Sequence, residues 1–168
     1  LTVIETVKAS GYDIPYETVK AALANTFFPA RAEIINKNPL VVLDGAHNPD
    51  GAAELAKILN KQGERAVAVI GIMQDKDYKT VLGATLPHCR AAVAVTVENM
   101  PRSLEGNTLA AEARKYCHAY AAENYDQAIK KAASLAGNDP VFIFGSLYFA
   151  GGIREKLINF YKNFNQPT

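Results

Sequence analysis

The rhythm of apolar and polar positions changes near residue 29. Before it only helical spacing appears: Thr2 with Glu5 forms a capping box ahead of a short helix that Gly11 ends, and Val19, Ala22 and Leu23 recur at i, i+3, i+4 after Pro15. That stripe is too narrow to make a core with one short partner, so residues 1–28 are expected to pack against something else. From Pro29 onward, apolar runs alternate with amphipathic segments. Strands are predicted near Ala32–Ile35, Leu40–Leu43, Ala66–Ile72, Ala92–Val97, Ala119–Ala122 and Val141–Phe144. Between them, one helix starts at Asn48-Pro49 and stops by Gly63, and Asp75 is expected to cap another reaching about Leu86. Further helices are expected near Leu109–Cys117, Asp126–Ala136 and from Ser146 to about Phe164, the last with Ala150, Ile153, Leu157, Tyr161 and Phe164 on one face. Buried strands alternating with such helices imply βα units. The fold class is α/β, Rossmann-like: a six-stranded, mostly parallel sheet with one antiparallel edge strand and helices on both faces.

Composition narrows the function classes. The chain has 168 residues with Lys+Arg 18 against Asp+Glu 17, a balance that argues against tracking nucleic-acid phosphates. Its longest apolar runs fall far short of the ~20 residues that cross a bilayer. The N-terminus, Leu1-Thr2-Val3-Ile4-Glu5, has neither an initiator Met nor a signal-peptide layout, and looks cut from something longer. Cys89 and Cys117 suit no disulfide scaffold, zinc site or CxxC motif and read as reduced, cytoplasmic thiols.

In an open parallel sheet, ligands bind beyond the carboxyl ends of the strands, which directs attention to three loops. In Asp44-Gly45-Ala46-His47-Asn48-Pro49 an apolar strand delivers a carboxylate and a His to a helix N-terminus. Asp44 would accept from hydroxyls and His47 would donate to, or exchange protons with, an anion drawn to the free N–H groups. A tight βα turn, with Asp44 bonding loop amides and Asn48 as cap, explains the same residues equally well. Two ligands with no third nearby make a metal site the weaker reading. In Gly145-Ser146-Leu147-Tyr148 the hydroxyls and first-turn amides would suit a carboxylate or phosphate, while a Ser cap beside a half-buried Tyr is the simpler account. In Met73-Gln74-Asp75-Lys76-Asp77, Asp75 reads as a cap and Lys76 and Asp77 as a solvated charge run. Arg31, at the change of texture, gains interest only if a second domain faces it. His88 and His118 read as structural. Neither G-x-x-x-x-G-K-[ST] nor G-x-G-x-x-G occurs, so the chain has no triphosphate cradle of its own.

Taken together, Asn25-Thr26-Phe27-Phe28-Pro29-Ala30-Arg31-Ala32-Glu33, Leu43-Asp44-Gly45-Ala46-His47-Asn48-Pro49 and Phe144-Gly145-Ser146-Leu147-Tyr148 resemble the folylpolyglutamate synthase/dihydrofolate synthase family of the Mur-ligase superfamily. The likeness is to the family's C-terminal domain over residues 29–168. It implies that residues 1–28 are the last helices of a central ATPase domain. Ala30 stands where the family usually has Gly, which would stiffen the turn and shift Arg31.

The resemblance further implies ATP between two domains, with the phosphate and Mg2+ contacts in the absent P-loop domain, a partner in the same polypeptide. The residues matching Arg31 and Asp44 bind ATP from this side, Asp44 on the ribose, and those matching His47, Ser146 and Tyr148 are associated with glutamate; His47 is the one catalytic candidate. The implied reaction converts a folate or dihydropteroate carboxylate to an acyl phosphate that the glutamate amine attacks. The domain alone is expected to be inactive. Two alternatives are another Mur-type amino-acid ligase and a flavodoxin- or receiver-like binding module. The latter should carry an acidic pair after its first strand and a Lys after its last, where this chain has Gly145-Ser146.

Overall fold

Apolar runs bounded by turn residues become the strands of one six-stranded sheet. The computed structural model describes residues 2–63 and 65–164. Strands β1 (Glu33–Lys37), β2 (Leu40–Leu43), β3 (Ala66–Ile70), β4 (Cys89–Val95), β5 (His118–Ala122) and β6 (Val141–Phe144) lie in the order β1-β2-β6-β3-β4-β5. Among the strand pairs of the described residues, only β1–β2 is antiparallel.

Side chains alternate along each strand, so the sheet sorts its residues into two cores. Val41, Leu43, Val67, Val69, Val93, Val95 and Ile143 face one way. Helices α6 (Tyr125–Ala136) and α7 (Leu147–Phe164) cover that side with Ile129, Ile153, Leu157 and Tyr161. Val42, Ala68, Ile70, Ala92, Phe142 and Phe144 face the other side, beneath α3 (Pro49–Asn60), α4 (Tyr78–Thr85) and α5 (Gly106–Ala113). Residues Ala150, Ile153, Leu157 and Tyr161 of the expected α7 stripe are all buried; Phe164's side chain lies outside the described ones. Among the described residues no helix is long and apolar enough to cross a membrane.

Three local expectations need correction. Asp75 does not cap α4: Asp77 does, its Oδ1 accepting the Thr80 amide at 3.2 Å, while Asp75 pairs with Arg102 at 3.0 Å. Helix α5 begins at Gly106, earlier than its apolar stripe suggests, because the Gly106 amide donates to Thr96 Oγ1 at 2.9 Å and so has a partner outside the helix. Thr2 is the first residue of α1 (Thr2–Ala9) and not the cap before it.

Helix α1 buries no residue and α2 (Tyr16–Asn25) buries only Val19. Leu23, Phe27 and Phe28 remain more than half exposed, so of the stripe expected from the sequence Val19 is covered, while Ala22 and Leu23 are left uncovered by the described residues.

Candidate functional site

Neighbouring strands β2 and β6 send their following helices to opposite faces of the sheet, α3 to one and α7 to the other. Such a divergence opens a crevice at the carboxyl edge, where α/β sheets bind ligands. The loops after β2, β3, β4 and β6 meet there. The Asp44 amide donates to the Ile143 carbonyl at 2.8 Å, the Gly71 amide to Phe144 at 3.3 Å, and the Leu104 amide to Ile72 at 2.9 Å. Gly145 adopts φ 124°, and a Cβ there would lie 2.7 Å from the Gly71 oxygen. Only glycine fits a backbone approach this close in that conformation.

The turn before β1 carries Arg31 at the rim. Ala30 and Ala32 have φ of 57° and 45°, a left-handed region that costs an alanine about 1–2 kcal/mol. Position 30 thus takes a positive φ, and the chain pays for it with strain at an alanine, where the resemblance leads one to expect glycine. Four contacts hold the turn. Ala32 N–H donates to Asp44 Oδ2 at 2.7 Å, and Gly45 N–H donates to the Ala30 carbonyl at 2.7 Å. Ala30 N–H donates to Glu33 Oε2 at 3.0 Å, and Arg154 on α7 grips the Glu33 carboxylate with Nε at 3.0 and 3.1 Å and Nη2 at 2.7 Å. Burial pushes the Glu33 carboxyl up, but the Arg154 guanidinium and the Ala30 amide outweigh it and hold the group below its ordinary value.

Asp44 Oδ1 accepts the Ala46 amide at 2.8 Å, so both oxygens bond loop amides, as the turn reading required. Each carboxylate oxygen still has an acceptor position to spare. Arg31 itself is exposed. Arg31 and Asp44 line one hollow of about 470 Å³ together with Asn48, Asp50 and Glu54 of the α3 start.

His47, Ser146 and Tyr148 line a second, narrower hollow of about 190 Å³, below the ~300 Å³ at which drug-sized ligand sites begin. His47 Nδ1 lies 2.7 Å from the Gly45 carbonyl. A carbonyl only accepts, so Nδ1 carries the proton and Nε2 is the nitrogen left for other partners when the ring is neutral. Ser146 is buried and caps α7, its Oγ accepting the Tyr148 amide at 3.1 Å; the hydroxyl proton remains available to an acceptor. Tyr148 is more exposed than a half-buried packing residue, at 59%.

The sequence reading missed Lys76 and Arg102, which bring two cations to the second hollow. Lys76 sits in a tight turn, its amide bonded to Met73 and its carbonyl to the Tyr78 amide. Arg102 arrives through a Met73–Ser103 bridge and its ion pair to Asp75. The charge run after β3 was the available signal for Lys76; nothing local marked Arg102. Among the described residues no three His, Cys, Asp or Glu side chains gather to hold a metal ion. His88 and His118 line neither hollow.

Residues 30–147 match the family model described as Mur ligase, glutamate ligase domain. The folylpolyglutamate synthase of Lacticaseibacillus casei is 30% identical over 154 residues, which cover 90% of this chain and 35% of that protein. The chain thus spans about a third of the length of that curated relative. Among solved structures, Mycobacterium tuberculosis folylpolyglutamate synthase complexed with ADP and AMPPCP superposes with a TM-score of 0.80 at 31% identity, over 88% of this chain and 36% of that one. An Escherichia coli FolC structure reaches a TM-score of 0.83 at 24% identity over 96% of this chain and 38% of its own, a likeness of fold. The antiparallel β1 and the order β1-β2-β6-β3-β4-β5 also differ from the all-parallel receiver arrangement.

Proposed function

The chain belongs to the Mur ligase family through its glutamate ligase domain, and we propose that it is the C-terminal part of an ATP-dependent ligase that joins L-glutamate to a folate or dihydropteroate carboxylate. One observation carries the reading: the five-residue loop between β2 and α3 turns Asp44 into one hollow and His47 into its neighbour. With the nucleotide and the amino acid on either side of one short loop, an acyl phosphate formed at the first faces an amine held at the second.

In this reading the ATP edge lies against Arg31 and Asp44. The spare acceptor capacity of Asp44 suits ribose hydroxyls, and the Arg31 guanidinium suits a nucleotide. Glutamate enters the second hollow, where Lys76, Arg102, Ser146 and the first-turn amides of α7 supply donors for its two carboxylates. Tyr148 adds a phenolic donor. A relative complexed with ADP and AMPPCP supports the nucleotide assignment.

The reaction balances in two steps. The substrate carboxylate attacks the γ-phosphorus of ATP, giving an acyl phosphate and ADP; the glutamate amine then attacks the acyl carbon, expels phosphate and loses a proton. His47 Nε2 is the candidate to take that proton. Mg2+ would neutralise phosphate charge. The described residues offer no ligand cluster for it, so its contacts are assigned to the P-loop domain, the partner in the same polypeptide, to which residues 1–28 would belong. Closure of that domain over the loops gives a proximity effect worth several kcal/mol, of order 10 at most, and keeps water from the acyl phosphate. A cytoplasmic location completes the reading.

The test is a phosphate-release assay on the full-length polypeptide with ATP, Mg2+, a reduced folate and glutamate, repeated with other amino acids. Release that requires both folate and glutamate supports the proposal. Equal release with a different amino acid, or with no folate, replaces it with another Mur-type ligase. Residues 1–168 alone are expected to release nothing above background.

A further inference from the structure

We propose that Glu33 and Arg154 act as a pair of positioning residues for the nucleotide hollow, setting the geometry of Arg31 and Asp44 without touching the ligand. The inference rests on the nucleotide assignment given above for that hollow, and it concerns a pair that neither hollow contains.

The turn at residues 30–32 is strained at two alanines, and strain of this kind persists only where the surroundings over-determine the backbone. Glu33 supplies the part of that determination that comes from outside the two loops. Its Oε2 fixes the Ala30 amide at 3.0 Å, one peptide before Arg31. Ala30 in turn offers its carbonyl to Gly45, and Ala32 offers its amide to Asp44. The carboxylate is itself fixed: Glu33 is 8% exposed, and Arg154 meets both its oxygens in a fork whose planar geometry permits few alternatives. The Phe27 ring lies 5.8 Å from the guanidinium carbon, closing another approach to it. Arg154 stands two turns into α7, the helix whose first turn Ser146 caps. A single ion pair therefore ties the turn that carries Arg31 to the rigid helix at whose start the second hollow lies, across 121 residues of sequence.

A merely structural ion pair would make every part of the protein less stable when removed. A positioning pair loosens one turn selectively. The distinguishing readout is amide hydrogen exchange by NMR on the protein and on its Glu33→Gln and Arg154→Lys variants. The reporters are the Ala32 and Gly45 amides, which bond to Asp44 and to Ala30 and not to Glu33. The Val67 and Ala128 amides, bonded to the Pro140 and Asn124 carbonyls, serve as controls for global unfolding. Expected is a loss of protection of about tenfold or more at Ala32 and Gly45 with the controls held within about twofold. Unchanged reporters overturn the proposal, and so does an equal loss at reporters and controls.

In the full-length polypeptide, Arg154→Lys should raise the KM for ATP about tenfold while leaving the KM for glutamate within about twofold. A fall in kcat alone, or equal changes in both KM values, overturns the nucleotide part. Should the unmodified polypeptide show no ligase activity, the functional reading fails, while the exchange measurement still decides whether the pair holds the turn.

Discussion

The Asp44 carboxylate receives the Ala32 amide at 2.7 Å, so the first residue after β2 holds down the turn that presents Arg31. A carboxylate doing this and also accepting the Ala46 amide has a structural role independent of any ligand. Asp44→Ala should therefore lower unfolding free energy by about 2 kcal/mol, the scale of losing hydrogen bonds to a charged acceptor. Arg31→Ala, at an exposed position, should change it by less than about 0.5 kcal/mol. Both should raise the KM for ATP in the full-length polypeptide. Urea denaturation separates the two effects, and an Asp44→Ala protein as stable as the parent would show that the amide bonds contribute little.

The strained alanines lend themselves to unequal expectations. Ala32 is exposed, so Ala32→Gly relieves about 1–2 kcal/mol of left-handed strain against about 0.4–1 kcal/mol of added unfolded-state entropy. A gain of roughly 0.8 kcal/mol follows from that difference. Ala30 is 7% exposed, and Ala30→Gly gives up in addition a buried methyl worth about 0.8 kcal/mol, which brings the change near zero. Denaturation midpoints of the two variants, compared at equal m-value, check the contrast.

How far the sequence foretold this site depends on how local each determinant is. Strands β2 and β6 have the bounds predicted for them because a continuous apolar run and the polar or glycine residue after it are both local signals. The Asp44, His47 and Ser146 loops were legible for the same reason, standing directly after such runs. Asp75 stands where the sequence suggests a cap, but its carboxylate pairs with Arg102, 27 residues away, and Asp77 caps the helix instead. Likewise Glu33 finds Arg154 across 121 residues, and an alanine gives no sign that its φ will be positive. Tertiary pairing of charges leaves no periodic trace.

Acid should weaken the protein partly through Glu33. The folded-state pKa lies below the ordinary 4.5, so the folded form binds the proton less well than the unfolded one. The contribution is fully present above about pH 4.5 and is lost as pH falls through the lowered folded value. Stability measured from pH 7 down to pH 3 should drop less steeply in Glu33→Gln, whose baseline is lower but carries no such titration. Parallel profiles would mean the carboxyl is not held in its charged form.

Burial pushes the Cys117 thiol up to about 11 and the Cys89 thiol higher still. Since the thiolate is the nucleophile, both should react slowly with iodoacetamide at pH 8 in the folded protein and readily after denaturation. Fast native labelling of Cys117 would show that the site between α5 and β5 opens.

Ser146 offers a way to separate capping from ligand binding. Its Oγ accepts the Tyr148 amide at 3.1 Å and the residue is 3% exposed, so Ser146→Ala should cost about 1 kcal/mol of stability, the usual loss of a helix cap. Ser146→Gly, a tolerated cap residue, should cost only a few tenths of a kcal/mol. Neither variant retains a hydroxyl to donate into the hollow shared with Lys76 and Arg102. If glutamate is held there, both should raise its KM by about tenfold, the scale of one hydrogen bond to a charged group, despite their unequal stabilities. A KM that tracks the stability loss instead, high for Ala and near normal for Gly, would assign Ser146 to the helix alone.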